Sequence, residues 1–175
     1  MTAVQIEVAQ AAVEAAPQVM DLPTRFRDVM GNVATPVSVV TAFGPEGPHG
    51  TTVSAFASLS MTPPMVLVCL DRGSELLEVV RSTGRFGLNV MGAEQSALAG
   101  GFARKGIDRF AGVEWTLEHG VPRLAGAPGW VACAATQLVP GGDHDIVLGL
   151  VLDAGVVDGA PLAYHRRTFG THAPL

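Results

Sequence analysis

Hydrophobic residues recur with two different spacings along the chain. Between Pro23 and Ala34 they fall three or four positions apart, which predicts a helix that starts near Thr24 and has one apolar face. That face consists of Phe26, Val29, Met30 and Val33. From residue 36 onward the hydrophobic residues form β-branched and aromatic runs separated by turns rich in Gly and Pro, which predicts strands joined in hairpins.

The order of the predicted elements indicates the fold class. Ser74 can cap a helix over SELLEVVRS, and a second helix, weakened by two glycines, is predicted over 94–104. Strands are predicted over 36–43, 51–58, 65–70, 86–91, 129–139 and 145–157, of which 65–70 is expected to be buried on both faces. Because hairpins dominate and strands do not alternate regularly with helices, the sequence predicts a mainly β protein, an antiparallel barrel with attached helices. Residues 23–175 are expected to form this domain, and the Ala-rich residues 1–22 an N-terminal arm or a short helix.

Composition and charge narrow the function classes. The 175 residues carry 11 Lys and Arg against 16 Asp and Glu, and this net charge of −5 disfavours nucleic-acid binding. Only 15% of the residues are charged and 48% are hydrophobic, so we expect a buried subunit interface in a homodimer. No apolar run reaches the roughly 18 residues of a membrane-spanning helix, and the start lacks the basic segment of a secretory signal. With Cys69 and Cys133 as its two cysteines, the chain is expected to be cytoplasmic with buried, reduced thiols.

A row of hydroxyl groups is the first candidate for a binding site. If residues 51–64 are extended, Thr52, Ser54, Ser58 and Ser60 project from one side of the strand. Small hydroxyls at fixed spacing suit a flat heteroaromatic ligand with several ring acceptors and donors. The same pattern is also typical of a half-exposed strand.

Two further segments suggest anion binding. The loop around Ser74 opens a helix, where unpaired amides and the positive end of the helix dipole favour a phosphate, with Arg72 close by. Ser74 can equally be an ordinary helix cap. Arg104, Lys105 and Arg109 form a cationic cluster that is either a second anion clamp or a solvated turn.

Two histidine-containing segments complete the candidate chemistry. His144 stands between Asp143 and Asp145 in a glycine turn, where it can serve as an acid or base, a hydrogen-bonding group or a surface residue. A metal site is disfavoured because the His and Cys residues lack ligand spacing. The segment Tyr164, His165, Arg166 and Arg167 suits either a nucleotide clamp or a sheet edge protected by charge. Neither a Rossmann nor a P-loop motif occurs, so a dinucleotide would need another kind of cradle.

Five segments, taken in order, resemble one family. They are FRDVMGNVATPVSVVTA, GTTVSAFASLSMTPPMVLVCLDRGS, FGLNVMGAEQSALAGGFA, GGDHDIVLGLV and PLAYHRRTFG. The chain from about Phe26 to Gly170 is similar to the flavin reductase-like proteins with an FMN-binding split β-barrel, especially the small reductase components of two-component flavin-dependent monooxygenases. The resemblance therefore implies an antiparallel split β-barrel.

The resemblance also implies an activity and its cofactors. The chain would be an NAD(P)H:flavin oxidoreductase (EC 1.5.1 type) that transfers a hydride from nicotinamide C4 to flavin N5 and releases reduced flavin to a partner monooxygenase. FAD is slightly favoured over FMN, and both NADH and NADPH are possible hydride donors. The family is commonly a homodimer. The alternative is a split-barrel module that binds flavin without turnover.

The resemblance assigns roles to individual residues. Thr52, Val53, Ser54, Ala55 and Ser58 would line the flavin ring and ribityl chain, and Cys69, Leu70, Asp71 and Ser74 would hold the ribityl and phosphate portion. Phe102, Ala103, Arg104, Lys105 and Gly106 would close over the phosphate. His144 would contact the nicotinamide, with Tyr164, His165, Arg166 and Arg167 near the other end of that dinucleotide.

Overall fold

The computed structural model describes residues 20–174, which divide into two compact units between Val33 and Ala34. The first unit contains helix α1 (Leu22–Gly31), whose cap is Asp21, because its carboxylate Oδ1 accepts a hydrogen bond of 3.0 Å from the Thr24 amide. The predicted helix is confirmed and begins two residues earlier than expected. Its apolar face is exposed, with Phe26 at 64%. Most of the predicted arm, residues 1–19, lies outside the described residues.

A seven-stranded antiparallel sheet dominates the second unit. Its spatial order is β3-β2-β6-β9-β10-β5-β4, and every neighbouring pair is antiparallel. The strands are β2 (Ser38–Gly44), β3 (Gly47–Val53), β4 (Phe56–Met61), β5 (Pro64–Asp71), β6 (Arg85–Val90), β9 (Gly129–Gly141) and β10 (His144–Val156). The predicted mainly β, antiparallel fold is confirmed.

The two edge strands of this sheet, β3 and β4, follow one another directly in the sequence. Ser54 and Ala55 carry the chain from β3 at one edge to β4 at the other, and the Cys69 amide donates a hydrogen bond of 2.9 Å to the Ala55 carbonyl. The prediction of one strand over 51–58 is therefore wrong, because the chain leaves the sheet at Ser54 in order to cross. The crossing separates the predicted hydroxyl row into Thr52 and Ser54 on one side and Ser58 and Ser60 on the other.

Two smaller sheets complete the second unit. One is made of β1 (Thr35–Pro36), β11 (Leu162–His165) and β12 (Thr168–Thr171), and the other is the hairpin of β7 (Trp115–Glu118) and β8 (Val121–Leu124). This second hairpin escaped the sequence analysis. Its turn, His119–Gly120, has positive φ angles of 50° and 78°, the signature of a tight two-residue hairpin turn.

Helix α2 (Glu75–Thr83) packs its apolar side on the barrel core. Leu76, Leu77 and Val80 are buried in the cluster that includes Phe86. Ser74 caps the helix as predicted, since its hydroxyl oxygen accepts a hydrogen bond of 3.2 Å from the Leu77 amide. The helix predicted over 94–104 is shorter and consists of a 3₁₀ turn (Ala93–Gln95) followed by α3 (Ser96–Phe102).

Two buried contacts hold the strands in register. A methyl group on Gly149 of β10 would lie 2.7 Å from Cε1 of Phe86 and 3.0 Å from Cβ of Cys133, so the aromatic ring occupies the space that a side chain would need. The buried Asn89 amide joins three strands. Its Nδ2 donates to the Val39 carbonyl at 3.2 Å, and its Oδ1 accepts from the Leu124 amide at 2.8 Å.

Candidate functional site

A cavity of about 680 Å³ opens where the ends of β3 and β5 meet the loop after α3. This volume lies within the range of about 300–1,000 Å³ that is typical of ligand sites. Most of the residues predicted to bind the flavin line it. They are Thr52, Val53, Ser54, Ala55, Cys69, Leu70, Asp71, Ser74, Lys105 and Gly106, and His144 joins them.

The remaining predicted flavin contacts lie off this cavity. Ser58 lies beyond the crossing and lines a separate apolar groove. Phe102 has no exposed surface and packs edge-to-face on Phe110, with the two ring centroids 5.0 Å apart, so its side chain belongs to the core. Ala103 and Arg104 are exposed next to the cavity without lining it.

The predicted nucleotide clamp is also placed elsewhere. Tyr164 and His165 end strand β11, and Arg166 and Arg167 form the exposed turn to β12, both with positive φ. None of these four residues lines the cavity within this chain. Tyr164 packs on Phe169 at 5.2 Å across the hairpin.

Several lining residues were missed by the sequence analysis. Gly73 and Glu75 flank Ser74, while Asp108 and Phe110 lie on either side of Arg109, a member of the predicted cationic cluster that also lines the cavity. Gly73 and Glu75 could have been predicted from their position next to the helix cap Ser74. The position of the second group depends on how the 103–112 loop folds back on β3, where Arg109 Nη1 donates a hydrogen bond of 2.8 Å to the Gly50 carbonyl. That long-range contact has no sequence signature.

The start of α2 supplies donors for an anion. The amides of Glu75 and Leu76 have no acceptor among residues 20–174, whereas the Leu77 amide is taken by the Ser74 hydroxyl. Free amides in the first turn, together with the helix dipole, favour negative charge.

Among the charged groups around the start of α2, some already have hydrogen-bond or ion-pair partners within the protein and others do not. Asp71 Oδ1 accepts a hydrogen bond of 2.7 Å from the Gly73 amide, and Asp108 Oδ1 accepts one of 3.0 Å from the Phe110 amide. Both carboxylates therefore cap turns of their own loops. Arg109 Nε donates 2.6 Å to the Arg104 carbonyl. Within the described part of the chain, Lys105 has no ion-pair partner. Lys105 is therefore the lining cation best able to neutralise a bound anion.

The crossing segment supplies the hydroxyl groups. Thr52 Oγ1 donates 2.6 Å to the Ala99 carbonyl, which fixes its rotamer and leaves its oxygen lone pairs available. Ser54 is exposed, and its hydroxyl bonds to no other described residue. Cys69 stands half-buried on the same wall.

His144 is held by a hairpin and by one carboxylate. Gly142, with φ 67°, makes the turn between β9 and β10, and His144 is paired in register with Asp71 at the end of β5. Its Nδ1 lies 2.7 Å from Asp143 Oδ1, and this contact is the main reason why the pKa of Asp143 is lowered. A carboxylate acceptor keeps the proton on Nδ1, which leaves Nε2 for a ligand.

Asp145, the other carboxylate next to His144 in the sequence, does not bind the imidazole. It is buried and accepts hydrogen bonds from Arg72 Nε at 2.8 Å and Arg81 Nη2 at 2.6 Å. Arg72 first and Arg81 second lower the pKa of this carboxyl group, so it is ionised at neutral pH.

The remaining sequence expectations concern thiols, metals and membranes. Both cysteines are free thiols, and burial raises the pKa of Cys133 to about 12, so this thiol is unreactive. Residues 20–174 contain no cluster of three potential metal ligands. None of the helices described here has the length and apolarity needed to cross a bilayer.

A mainly β barrel with a cavity equipped for a phosphate and for ring hydrogen bonds defines a nucleotide-cofactor protein of the split-barrel class. The chain belongs to the flavin reductase like domain family, which matches residues 30–173. The resemblance found in the sequence is thereby confirmed.

Individual relatives match most of the chain. A Rhodococcus opacus protein, the reductase component of 4-nitrophenol 4-monooxygenase/4-nitrocatechol 2-monooxygenase, is 40% identical over 85% of this chain and 80% of its own length. The NADH:riboflavin 5'-phosphate oxidoreductase of Streptomyces pristinaespiralis is 38% identical over 87% of this chain and 89% of its own. Among solved structures, the Streptomyces globisporus NADH:FAD oxidoreductase SgcE6, in complex with NAD and FAD fragments, superposes with a TM-score of 0.83 at 33% identity, covering 90% of this chain and 98% of that one.

Proposed function

We propose that this protein is a flavin reductase that uses NADH to reduce FAD or FMN. The observation that carries the proposal is the composition of the 680 Å³ cavity, where free amides, an unpaired lysine, hydroxyl groups and His144 converge. The amides and the lysine suit a flavin phosphate, the hydroxyl groups suit a flavin ring, and His144 suits a nicotinamide. The names of relatives at 38–40% identity support the same activity.

The residues divide the work of binding between them. Lys105, the Ser74 hydroxyl and the amides of Glu75 and Leu76 fit the phosphate. Ser54, Thr52 and the crossing backbone fit the polar edge of the ring, while Cys69, Leu70 and Asp71 fit the ribityl chain. His144 Nε2, as an acceptor, fits the NH₂ group of the nicotinamide carboxamide.

The protein mainly positions the two reactants. A bound flavin supplies the hydride acceptor, and NADH supplies the hydride. Amide and hydroxyl donors of the crossing segment, Ser54 among them, would stabilise negative charge on a bound flavin ring. No side chain has to move a proton in the hydride step, so His144 is assigned an orienting role.

The choice between cofactors is supported by different observations. The residues above would contact only parts that FAD and FMN share, so both flavins are proposed as substrates, with FAD slightly favoured. NADH is proposed over NADPH because the names of three relatives specify it.

A separate oxygenase is the proposed consumer of the product. The Rhodococcus opacus relative is named as the reductase component of a monooxygenase, which supports a partner monooxygenase that receives reduced flavin by diffusion. The two free thiols fit a cytoplasmic location for this exchange.

Purified protein is expected to oxidise NADH only when FAD or FMN is added, because an exposed cavity suits a flavin that binds and leaves. The measurement is the decrease in absorbance at 340 nm with and without each flavin. Flavin binding without NADH oxidation would instead support the non-catalytic binding module. Flavin that survives extensive dialysis and turns over in place would contradict the diffusible carrier.

We also propose a homodimer built on an apolar groove of the barrel. The groove encloses about 330 Å³ between β4, β5, β6, β9 and β10, and Phe56, Val66, Leu88 and Val131 line it. At its rim Val156 is 86% exposed. An exposed apolar surface of this kind, in a chain with few charges, is best covered by a second copy of the chain.

Val156→Lys is expected to shift the protein from dimer to monomer, because a charge would then be buried without a partner. Sedimentation velocity over a range of protein concentrations measures the change. Leu117→Lys, on an equally apolar exposed position of the β7–β8 hairpin outside the groove, is the matched control and should leave the mass unchanged. A monomeric wild-type protein at micromolar concentration would contradict the proposal.

A further inference from the structure

Asp145 lies between two segments that line the cavity, the loop that follows β5 and the hairpin that carries His144. It is adjacent to His144 on β10, but successive side chains of a strand point to opposite faces, so its carboxylate lies under the sheet. That carboxylate is 7% exposed, and each of its oxygens accepts from a different arginine. It is the one acidic side chain that is buried among residues 20–174.

The two arginines come from the segments that form the anion site. Arg72 lies in the loop between β5 and α2, one residue after Asp71 and two before Ser74. Arg81 lies in the last turn of α2, the helix whose first amides are free. Asp145 therefore fixes the helix and the loop from below the cavity.

The same loop is attached to the His144 hairpin a second time. The Arg72 amide donates a hydrogen bond of 3.0 Å to the Asp143 carbonyl. His144 thus lies between two residues that both bind Arg72, one through its backbone and one through its side chain. The Asp71–Ser74 loop is therefore bonded to the residues on both sides of His144.

We propose that Asp145 is a positioning residue that couples the flavin phosphate site to the nicotinamide site. This inference depends on the proposed function, because that function assigns the flavin phosphate to the loop and the nicotinamide to His144. A flavin that orders the loop then also fixes His144, and by linkage a nicotinamide at His144 strengthens flavin binding by the same factor. A buried ion pair contributes little net stability compared with apolar packing, so geometry is the better reason for this arrangement.

Asp145→Asn tests the proposal, since the amide keeps the shape and removes the charge that holds both arginines. Flavin binding is measured by quenching of FMN fluorescence, with and without saturating NAD⁺, which cannot reduce the flavin. In the wild-type protein we expect NAD⁺ to tighten FMN binding about fivefold, within the usual range for coupled sites. In Asp145→Asn we expect the FMN Kd to rise about tenfold and the effect of NAD⁺ to disappear, with KM for NADH raised and kcat nearly unchanged.

The matched control is Glu78→Gln. Glu78 is the other carboxylate paired with Arg81, but it is exposed and has no contact with Arg72. This variant should keep wild-type Kd and KM values. Arg72→Gln removes the same link from its exposed end and should reproduce Asp145→Asn, and the double variant should be no worse than either single variant.

Thermal melting separates positioning from folding. All assays are run well below the melting midpoint of each variant, and Arg72→Gln carries the test if Asp145→Asn does not fold. Wild-type FMN affinity and an intact NAD⁺ effect in Asp145→Asn or, failing that, in Arg72→Gln would overturn the coupling, as would a wild-type protein that binds FMN equally well with and without NAD⁺. A wild-type protein that binds FMN but does not oxidise NADH would overturn the proposed function, while the NAD⁺ effect on FMN binding would still decide the role of Asp145.

Discussion

His144→Ala is expected to raise the apparent KM for NADH by about tenfold, the loss of roughly 1.4 kcal/mol of binding, while the FMN Kd changes little. The reason is geometric. His144 lines the cavity with Nδ1 engaged by Asp143, so its free Nε2 is the group that can recognise the carboxamide. Steady-state rates over a series of NADH concentrations, at saturating FMN, measure the effect.

A second histidine variant serves as the control for His144→Ala. His119 lies in the β7–β8 turn, pairs with Asp153 at 3.0 Å and is remote from the cavity lining. His119→Asn keeps a side chain that tolerates positive φ and should leave KM unchanged. An unchanged KM in His144→Ala would remove His144 from nicotinamide binding and transfer that role to residues outside the cavity.

Asn89→Ala is expected to lower the free energy of unfolding by about 3 kcal/mol, which corresponds to a loss of about 6–12 °C in Tm for a domain of this size. Asn89 has no exposed surface, and its removal leaves the buried Leu124 amide without an acceptor. It also removes the donor to Val39, so β6 loses side-chain bonds to both β2 and β8. Urea denaturation and calorimetry measure the effect.

Gln137→Ala, an exposed amide on β9, is the comparison for this stability prediction and should change the free energy of unfolding by less than about 0.5 kcal/mol. If Asn89→Ala were as stable as Gln137→Ala, the buried hydrogen bonds of Asn89 would not hold the strands together.

Most of the fold was predictable because its signals are local. The strand over 65–70 and its helix, capped by Ser74, follow from an apolar run and a capping residue, and both were found within a residue or two. The single strand predicted over 51–58 was wrong because the chain must cross from one sheet edge to the other at Ser54, which is a property of barrel closure. The β7–β8 hairpin was missed because its two strands have only four residues each.

The site was predictable where its residues are neighbours in sequence. Thr52 to Ala55, Cys69 to Asp71 and Gly73 to Ser74 line the cavity. The hydrogen bond from Arg109 to the Gly50 carbonyl and the pairing of Asp145 with Arg72 join residues 59 and 73 positions apart, and no local pattern indicates these two contacts. Phe102 was placed in the site by resemblance, although a hydrophobic ring at the end of a helix packs more favourably in the core.

The contact of Phe86 with Gly149 restricts how this barrel can evolve. The ring occupies the volume above Gly149, so a side chain at position 149 requires a smaller residue at position 86 in the same lineage. Each single step passes through either a clash or a void, and both are selected against. The two positions are therefore expected to covary across descendants of this sequence, although 63 residues separate them.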